Sequence, residues 1–206
     1  MTFPDKKYGH IGDLAADYFG RSAAAQASVD GIKLAVAAEL LEAAYGRGAF
    51  VYVCGNGGSA SISNHLACDH LKGAQTDTDL LPRVVSLAAT METITAIAND
   101  FSFDDIFVYQ LSTLASEGDV LITVSSSGDS ENVVRACQWA RDNGVSVISM
   151  TGFSGGRSAQ LAHVNLHVEG DNYGIVEDTH QALMHILAQF IRQNRMDGDL
   201  IAERKF

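Results

Sequence analysis

The sequence predicts a three-layer α/β domain in which a doubly wound parallel sheet carries helices on both faces. Three observations predict it. Five short β-branched runs recur along the chain, helical patterns separate them, and two runs break directly into glycine- or serine-rich loops that open a helix.

Residues 11–48 are rich in alanine and leucine and almost free of helix breakers. Ile32, Leu34, Ala35, Ala38, Leu41 and Ala44 recur at helical spacing, which predicts one or two N-terminal helices. The runs 50–54 (FVYVC), 83–87 (RVVSL), 120–125 (VLITVS), 145–150 (VSVISM) and 163–168 (HVNLHV) are of the kind buried in parallel sheets. Between them lie helical patterns near 59–72, 90–98, 104–116, 129–142 and 157–162, and a long one spans 175–194. Right-handed crossovers then place helices on both faces. No repeat, low-complexity segment or linker divides the 206 residues, so a single domain is expected: helices in 1–48, an α/β core in 49–194 and a tail in 195–206. The stretch 74–82 (AQTDTDLLP) is the most polar interruption and is expected on the surface.

Composition narrows the function classes. With 47% hydrophobic and 19% charged residues the chain can bury a sizeable core. A formal net charge of -11 argues against a nucleic-acid surface. It leaves room for an anionic small substrate, because backbone N–H groups and hydroxyls hold phosphate without arginine. No apolar run approaches the ~18–20 residues of a membrane span. The N-terminus lacks a secretory pattern. Cys54, Cys68 and Cys137 stand singly with no CxxC pair, which reads as reduced, buried thiols in a cytoplasmic protein.

Two loops carry the first chemical signal. The stretch 55-GNGGS-59 follows the first strand and 125-SSSGDS-130 follows the third. Ligands in open α/β sheets bind beyond the carboxyl ends of the strands at a topological switch point. If the strand order is flavodoxin-like, 2-1-3-4-5, these two loops flank that point. Gly57 and Gly58 allow close approach of an anion to a helix start, and Ser59, Ser125, Ser126, Ser127 and Ser130 offer hydroxyl donors. Taken singly, GNGG could be only a tight turn, and Ser127 or Asp129 only a helix cap. Their coincidence at two strand ends favours a phosphate cradle.

The second signal is a polar helical face. His65 and Asp69 are four residues apart, and Glu177 and His185 are eight apart, so each pair shares one side of its helix, with His180 between the latter two. Two imidazoles and two carboxylates suit zinc or another divalent ion, and they suit proton transfer equally. The structural alternatives are specific. His185 in ALMHILAQFI could be a core histidine, and Glu177 near a helix start is favoured by the dipole alone. His70 is expected to support the site or be solvated, His163 and His167 to be structural, and Cys54 and Cys68 to be small core residues.

The segments GNGGSASISNHLACDH, AIANDFSFDDIF, EGDVLITVSSSGDSENVVRA and YGIVEDTHQALMHILAQFI, in order over residues 30 to 194, resemble the sugar isomerase (SIS) domain and, within it, the phosphoheptose isomerase family. The resemblance implies a five-stranded parallel sheet. It also implies an aldose–ketose isomerase that acts on sedoheptulose 7-phosphate through an enediol. The family assembles as a homotetramer with active sites between subunits, and supplies heptose for lipopolysaccharide, capsule or another glycan. By position, Asn56 and Ser59 match first-loop substrate contacts, Ser125, Ser126, Ser127 and Ser130 the phosphate loop, and Asp100 a substrate-contacting aspartate. His65, Asp69, Glu177 and His185 fall on four positions that can hold one zinc ion, with Asp69 and His185 as base and acid.

Three positions depart from the family pattern. Asp69 stands where glutamate is typical, Glu177 where glutamine is, and Ala74 where an arginine is frequent, leaving Lys72 as a weaker substitute. A displacement near 1 Å can slow a reaction on the order of 100-fold. The alternatives are a non-catalytic SIS sugar-phosphate sensor, a regulator that binds a replication initiator, or an isomerase of another sugar phosphate. The enzyme reading requires Asp69 and His185 within hydrogen-bond reach.

Overall fold

The computed structural model describes residues 2–206. Helices α1 (Ile11–Ala27) and α2 (Gly31–Gly46) come first, each with a side-chain cap. His10 Nδ1 accepts from Gly12 N at 3.0 Å, and Asp30 Oδ1 accepts from Ile32 N and Lys33 N at 2.8 and 3.2 Å. Such caps satisfy backbone donors that no helical carbonyl can reach.

Five strands follow: β1 (Phe50–Gly55), β2 (Arg83–Ser86), β3 (Val120–Ser125), β4 (Ser146–Thr151) and β5 (Val164–His167). All pair in parallel, in the order β2-β1-β3-β4-β5, the flavodoxin-like order expected. Every residue of the central β3 is buried, which explains its unbroken apolar run. The connecting helices are α3 (Gly58–Cys68), α4 (Met91–Asp100), α5 (Val108–Leu114), α6 (Glu131–Asp142), α7 (Gly156–Leu161), α8 (Tyr173–Arg195) and α9 (Gly198–Ile201).

Strand alternation divides the core in two. Val51, Val53, Ile122, Val124, Ile148 and Met150 face α2, α3 and α8, meeting Leu41, Leu66, Leu183 and Leu187. Tyr52, Cys54, Leu121 and Val147 face the other way onto Ile97, Leu111, Val133 and Cys137. Each fully buried aliphatic side chain contributes roughly 1.5–3 kcal/mol. These two layers therefore fix α3 and α8 on one side of the sheet.

Some expectations are corrected. The helix expected over 59–72 is α-helical only to Cys68 and then widens into a π-helical turn, Asp69–Ala74. Cys68 is exposed rather than a core residue. Leu66 and His70 point inward, and a residue two positions from each lies on the opposite side of the helix. The segment expected as one helix over 104–116 contains a 3-10 turn, Phe103–Asp105, before α5, and the tail holds α9. Among the described residues no helix is long and apolar enough to cross a membrane.

The loops after β1 and β3 are neighbours because β1 and β3 pair directly. The side chains of Asn56 and Asn132 exchange two amide hydrogen bonds, 2.8 and 3.1 Å, tying the first loop to the start of α6. Gly128 packs on the turn before α7, where a Cβ would collide with the Gly155 carbonyl, and its φ of 65° is left-handed. Gly128→Ala is therefore expected to lose about 2–5 kcal/mol, the sum of the left-handed backbone penalty and overpacking. Urea denaturation measures this, and an unchanged midpoint would show that the loop is not locked against Gly155.

Candidate active site

The glycine-rich turn after β1 is built for close approach. Gly57 has φ 56° and ψ -123°, a backbone conformation that side chains rarely adopt. Gly58 lies under the Glu177 carboxylate, where any Cβ would collide with it, and Ser59 is buried beneath the turn. The serine loop after β3 is held by its own backbone. Ser125 Oγ accepts from Gly128 N at 3.2 Å and Ser127 Oγ from Asp129 N at 3.3 Å. Gly128 O accepts from Ser158 N and Ser126 O from Gly152 N, both at 2.8 Å. Ser126 Oγ is buried with no partner among the described residues, and Ser130 caps α6 by its backbone alone.

The nearby arginines are already engaged. Arg157 donates to Asp129 Oδ1 at 2.5 Å and Glu131 Oε2 at 2.8 Å, and Arg135 bonds Glu131 and Asp105. These guanidiniums hold the Asp129 and Glu131 carboxyls below the usual carboxylate range. Neither arginine is left unpaired beside the loop, so N–H groups and hydroxyls are the donors it offers.

Helix α8 runs alongside α3 in the same direction. The Glu177 carboxylate sits at Gly58, Gln181 Nε2 lies 2.7 Å from His65 Nδ1, and His185 Nδ1 lies 2.8 Å from Asp69 Oδ2. His65 Nε2 is 3.4 Å from Asp69 Oδ1, and Gln181 Nε2 is 3.1 Å from His185 Nε2. The two imidazoles meet edge to face, with centroids 4.9 Å apart. His65, Asp69 and His185 each offer one ligand atom, all within 4.8 Å of one another. Two imidazole nitrogens and a carboxylate oxygen form a group that could hold a divalent metal ion.

Asp69 is the first residue of the π-turn. Short π-helical turns inside α-helices recur at functional sites. The turn is pinned from inside by His70, which is fully buried with Nδ1 2.7 Å from Tyr45 Oη. Burial lowers the His70 pKa to about 4, so the ring stays neutral. His70 is thus neither solvated nor in contact with the open side of the site, and serves as the anchor of the turn. From this frame the aspartate reaches both histidines despite its shorter side chain.

Other expected site residues are placed elsewhere. Glu177 lies outside the three-ligand cluster, at the start of α3; burial, and then the neighbouring Asp178, raise its pKa. Asp100 ends α4 in an exposed position, bonded to Asn99. A cavity of about 550 Å³ opens beside the cluster, lined by His65, Asp69, Lys72, His185, Arg192 and Lys205 among others, and by none of residues 125–130. His163 and His167 bond the Val147 N–H and the Thr151 hydroxyl. Gln181 and Asn132 are missing from the sequence reading. Gln181 carried a signal, since it lies four residues before His185 on the same face; the role of Asn132 is set across 76 residues.

Comparison with known proteins gives consistent matches. The SIS domain family matches residues 17–152. A phosphoheptose isomerase of Nitratidesulfovibrio vulgaris is 40% identical over 134 residues, 65% of this chain and 64% of that protein. One from Rhodospirillum rubrum is 37% identical over 158 residues, 77% of this chain and 84% of that protein. The solved structure of a phosphoheptose isomerase from Francisella tularensis superposes with a TM-score of 0.82 at 31% identity, covering 89% of this chain and 99% of that one.

His180 does not join the cluster; it is fully buried and neither ring nitrogen makes a hydrogen bond. Burial lowers its pKa from 6.5 to about 4, partly offset by the Thr151 main chain. The fold therefore favours the neutral ring. That contribution is complete above pH 6.5 and is lost as pH falls from 6.5 towards 4, where the unfolded chain binds the extra proton. His180→Leu is expected to leave stability at pH 7.5 within about 1 kcal/mol of the parent or above it. It should also flatten the acid decline, with the part due to His70 remaining. Urea midpoints across pH 4–7.5 test this, and an acid slope equal to the parent's would refute it.

Proposed function

The chain belongs to the SIS-domain family and, within it, to the phosphoheptose isomerases, and from this we propose that it converts sedoheptulose 7-phosphate to D-glycero-D-manno-heptose 7-phosphate. One observation carries the chemistry: Asp69 and His185 lie in hydrogen-bond contact, 2.8 Å apart, at the far end of the helix whose start forms the glycine turn. General acid–base catalysis needs that reach.

In this reading the open-chain sugar phosphate rests its phosphate on the N–H groups and hydroxyls of Gly57, Gly58, Ser59 and residues 125–130. Asn56 orients the first loop. Asp69 takes a proton from C1 while His185 protonates O2, giving the cis-enediol. Return of a proton to C2 and loss of one from O1 complete the aldose. His65, Asp69 and His185 are the residues that would hold a divalent ion, with zinc favoured by two imidazoles and a carboxylate. Bound there, the ion would supply Lewis-acid polarisation of the carbonyl oxygen. Glu177, at Gly58, acts on the substrate from the side of the glycine turn and joins the ligand set if its carboxylate swings towards His65.

The functional assembly in this reading is a homotetramer. Its support is twofold. Ile11, Phe19 and Ile32 are 76%, 70% and 78% exposed on α1 and α2, an apolar surface suited to a second copy. The cavity beside Asp69 and His185 also lacks any residue of the serine loop, so a site shared between subunits would bring cradle and acid–base pair onto one substrate. In the same reading Asp100, exposed at the end of α4, would contact substrate from a neighbouring subunit.

Purified protein assayed with sedoheptulose 7-phosphate is expected to turn over. Asp69→Asn and His185→Gln should each lower kcat at least ~100-fold, with far-UV circular dichroism unchanged. Either variant retaining more than a tenth of parental kcat would remove that residue from the proposed pair.

A further inference from the structure

Gln181 lies between the two histidines and is absent from the proposed acid–base and ligand sets. With His65, Asp69 and His185 it forms a chain of three hydrogen bonds whose direction is fixed by chemistry, and its ends, His65 Nε2 and Asp69 Oδ1, approach to 3.4 Å. An ionised carboxylate only accepts. His185 therefore donates to Asp69 from Nδ1 at 2.8 Å. The Gln181 amide nitrogen only donates, so His65 Nδ1 accepts from it and the neutral ring keeps its hydrogen on Nε2, 3.4 Å from Asp69 Oδ1. In neutral rings this leaves His185 Nε2 and His65 Nδ1 as acceptors. Gln181 Nε2 lies 3.1 and 2.7 Å from them, and its two hydrogens satisfy both.

An ion held by the nitrogens that face Asp69 would reverse that chain of bonds. Each of those nitrogens would give its lone pair to the ion, so each imidazole would carry its hydrogen on the nitrogen that faces Gln181. The amide nitrogen cannot accept it. The amide oxygen can, because its two lone pairs match the two hydrogens of the NH2 group, and a half-turn of the amide exchanges the two atoms at one position. Glutamine is singular here. A carboxylate would serve only the ion-loaded arrangement, and an aliphatic side chain would serve neither.

We propose that Gln181 is a positioning residue that sets both histidine tautomers by turning its amide, donating in the ion-free site and accepting in the loaded one. The inference rests on the reading of His65, Asp69 and His185 as a divalent-ion site. Metal-bound histidines generally give their second N–H to an oxygen acceptor, and loss of that acceptor lowers metal affinity 10–100-fold. Here one side chain supplies the acceptor for both rings. It can do so because α8 places it one turn ahead of His185 and beside His65.

The test is zinc affinity in the whole protein, measured by competition with a chromophoric chelator for the parent, Gln181→Leu and Gln181→Glu. Gln181→Leu is expected to bind zinc 10–100-fold more weakly. Gln181→Glu, which still accepts, should bind at least as tightly as the parent. Histidine 15N spectra should show the hydrogens on His65 Nδ1 and His185 Nε2 in the zinc-loaded parent. Gln181 is half-buried and its replacements are expected to fold, which urea midpoints check. Leucine and parental affinities within twofold, or a glutamate variant as weak as the leucine one, would overturn the role of Gln181 alone. A parent that takes up no zinc would overturn the ion-site reading and this inference with it.

Discussion

The parallel packing of α8 against α3 in one fixed register is the constraint on which the site depends. Three hydrogen bonds between α8 and the α3–π segment span the same separation of 116 residues: Gln181 to His65, His185 to Asp69, and Arg192 to Thr76. Residues on one helix face recur about every 3.6 positions, so a slip of one residue would rotate the histidines and the glutamine away from Asp69. The register is set below the site by Leu66, Leu183, Met184 and Leu187, buried on one face of the sheet. Arg192 extends it beyond the site, bonding Thr76 O and Asp77, while Asp77 also accepts from Arg204 and so tethers the tail. A polar cluster open to solvent thus inherits its precision from a buried apolar core.

The cradle obeys a different constraint, the order of strands. Because β1 and β3 pair directly, their following loops meet, and the Asn56–Asn132 amide pair joins them. The serine loop is then fixed from its other side by Gly155, Ser158 and the Arg157 clamp. Bound anion would replace little of this scaffolding, since the loop's shape is satisfied before any ligand arrives. Preorganised N–H donors of this kind hold charge with little reorganisation.

Helix α3 links the two regions. Its first turn lies in the glycine loop and His65, near its end, belongs to the His65–Asp69–His185 cluster, the two ends of the helix being roughly 15 Å apart at 1.5 Å per residue. The break from α to π geometry falls at Asp69. Tyr45 and His70 anchor that break within the core, and Asp69 still contacts both histidines. Side-chain length and backbone geometry therefore have to be read together at this position.

The sequence by itself determined the sheet, its parallel sense and the loops that face the switch point. Those features rest on period-2 and period-3.6 patterning and on glycine and serine at strand ends, all of which are local. It also marked His65, Asp69 and His185, because four- and eight-residue spacings keep polar groups on one helical face. Only the tertiary structure decided which of these groups meet. It brought Asp69 and His185 into contact across 116 residues, set Glu177 at Gly58 outside the cluster, and buried His70 and His180 away from its open side. It also turned the end of α3 into a π-turn, exposed Cys68, and placed Gln181 between two rings. The physical reason is common to all of these. Spacing fixes the face of a helix on which a residue lies, whereas its partner depends on how two helices are rotated and slid against each other. That choice is made by core packing distributed over many residues, which no local pattern records.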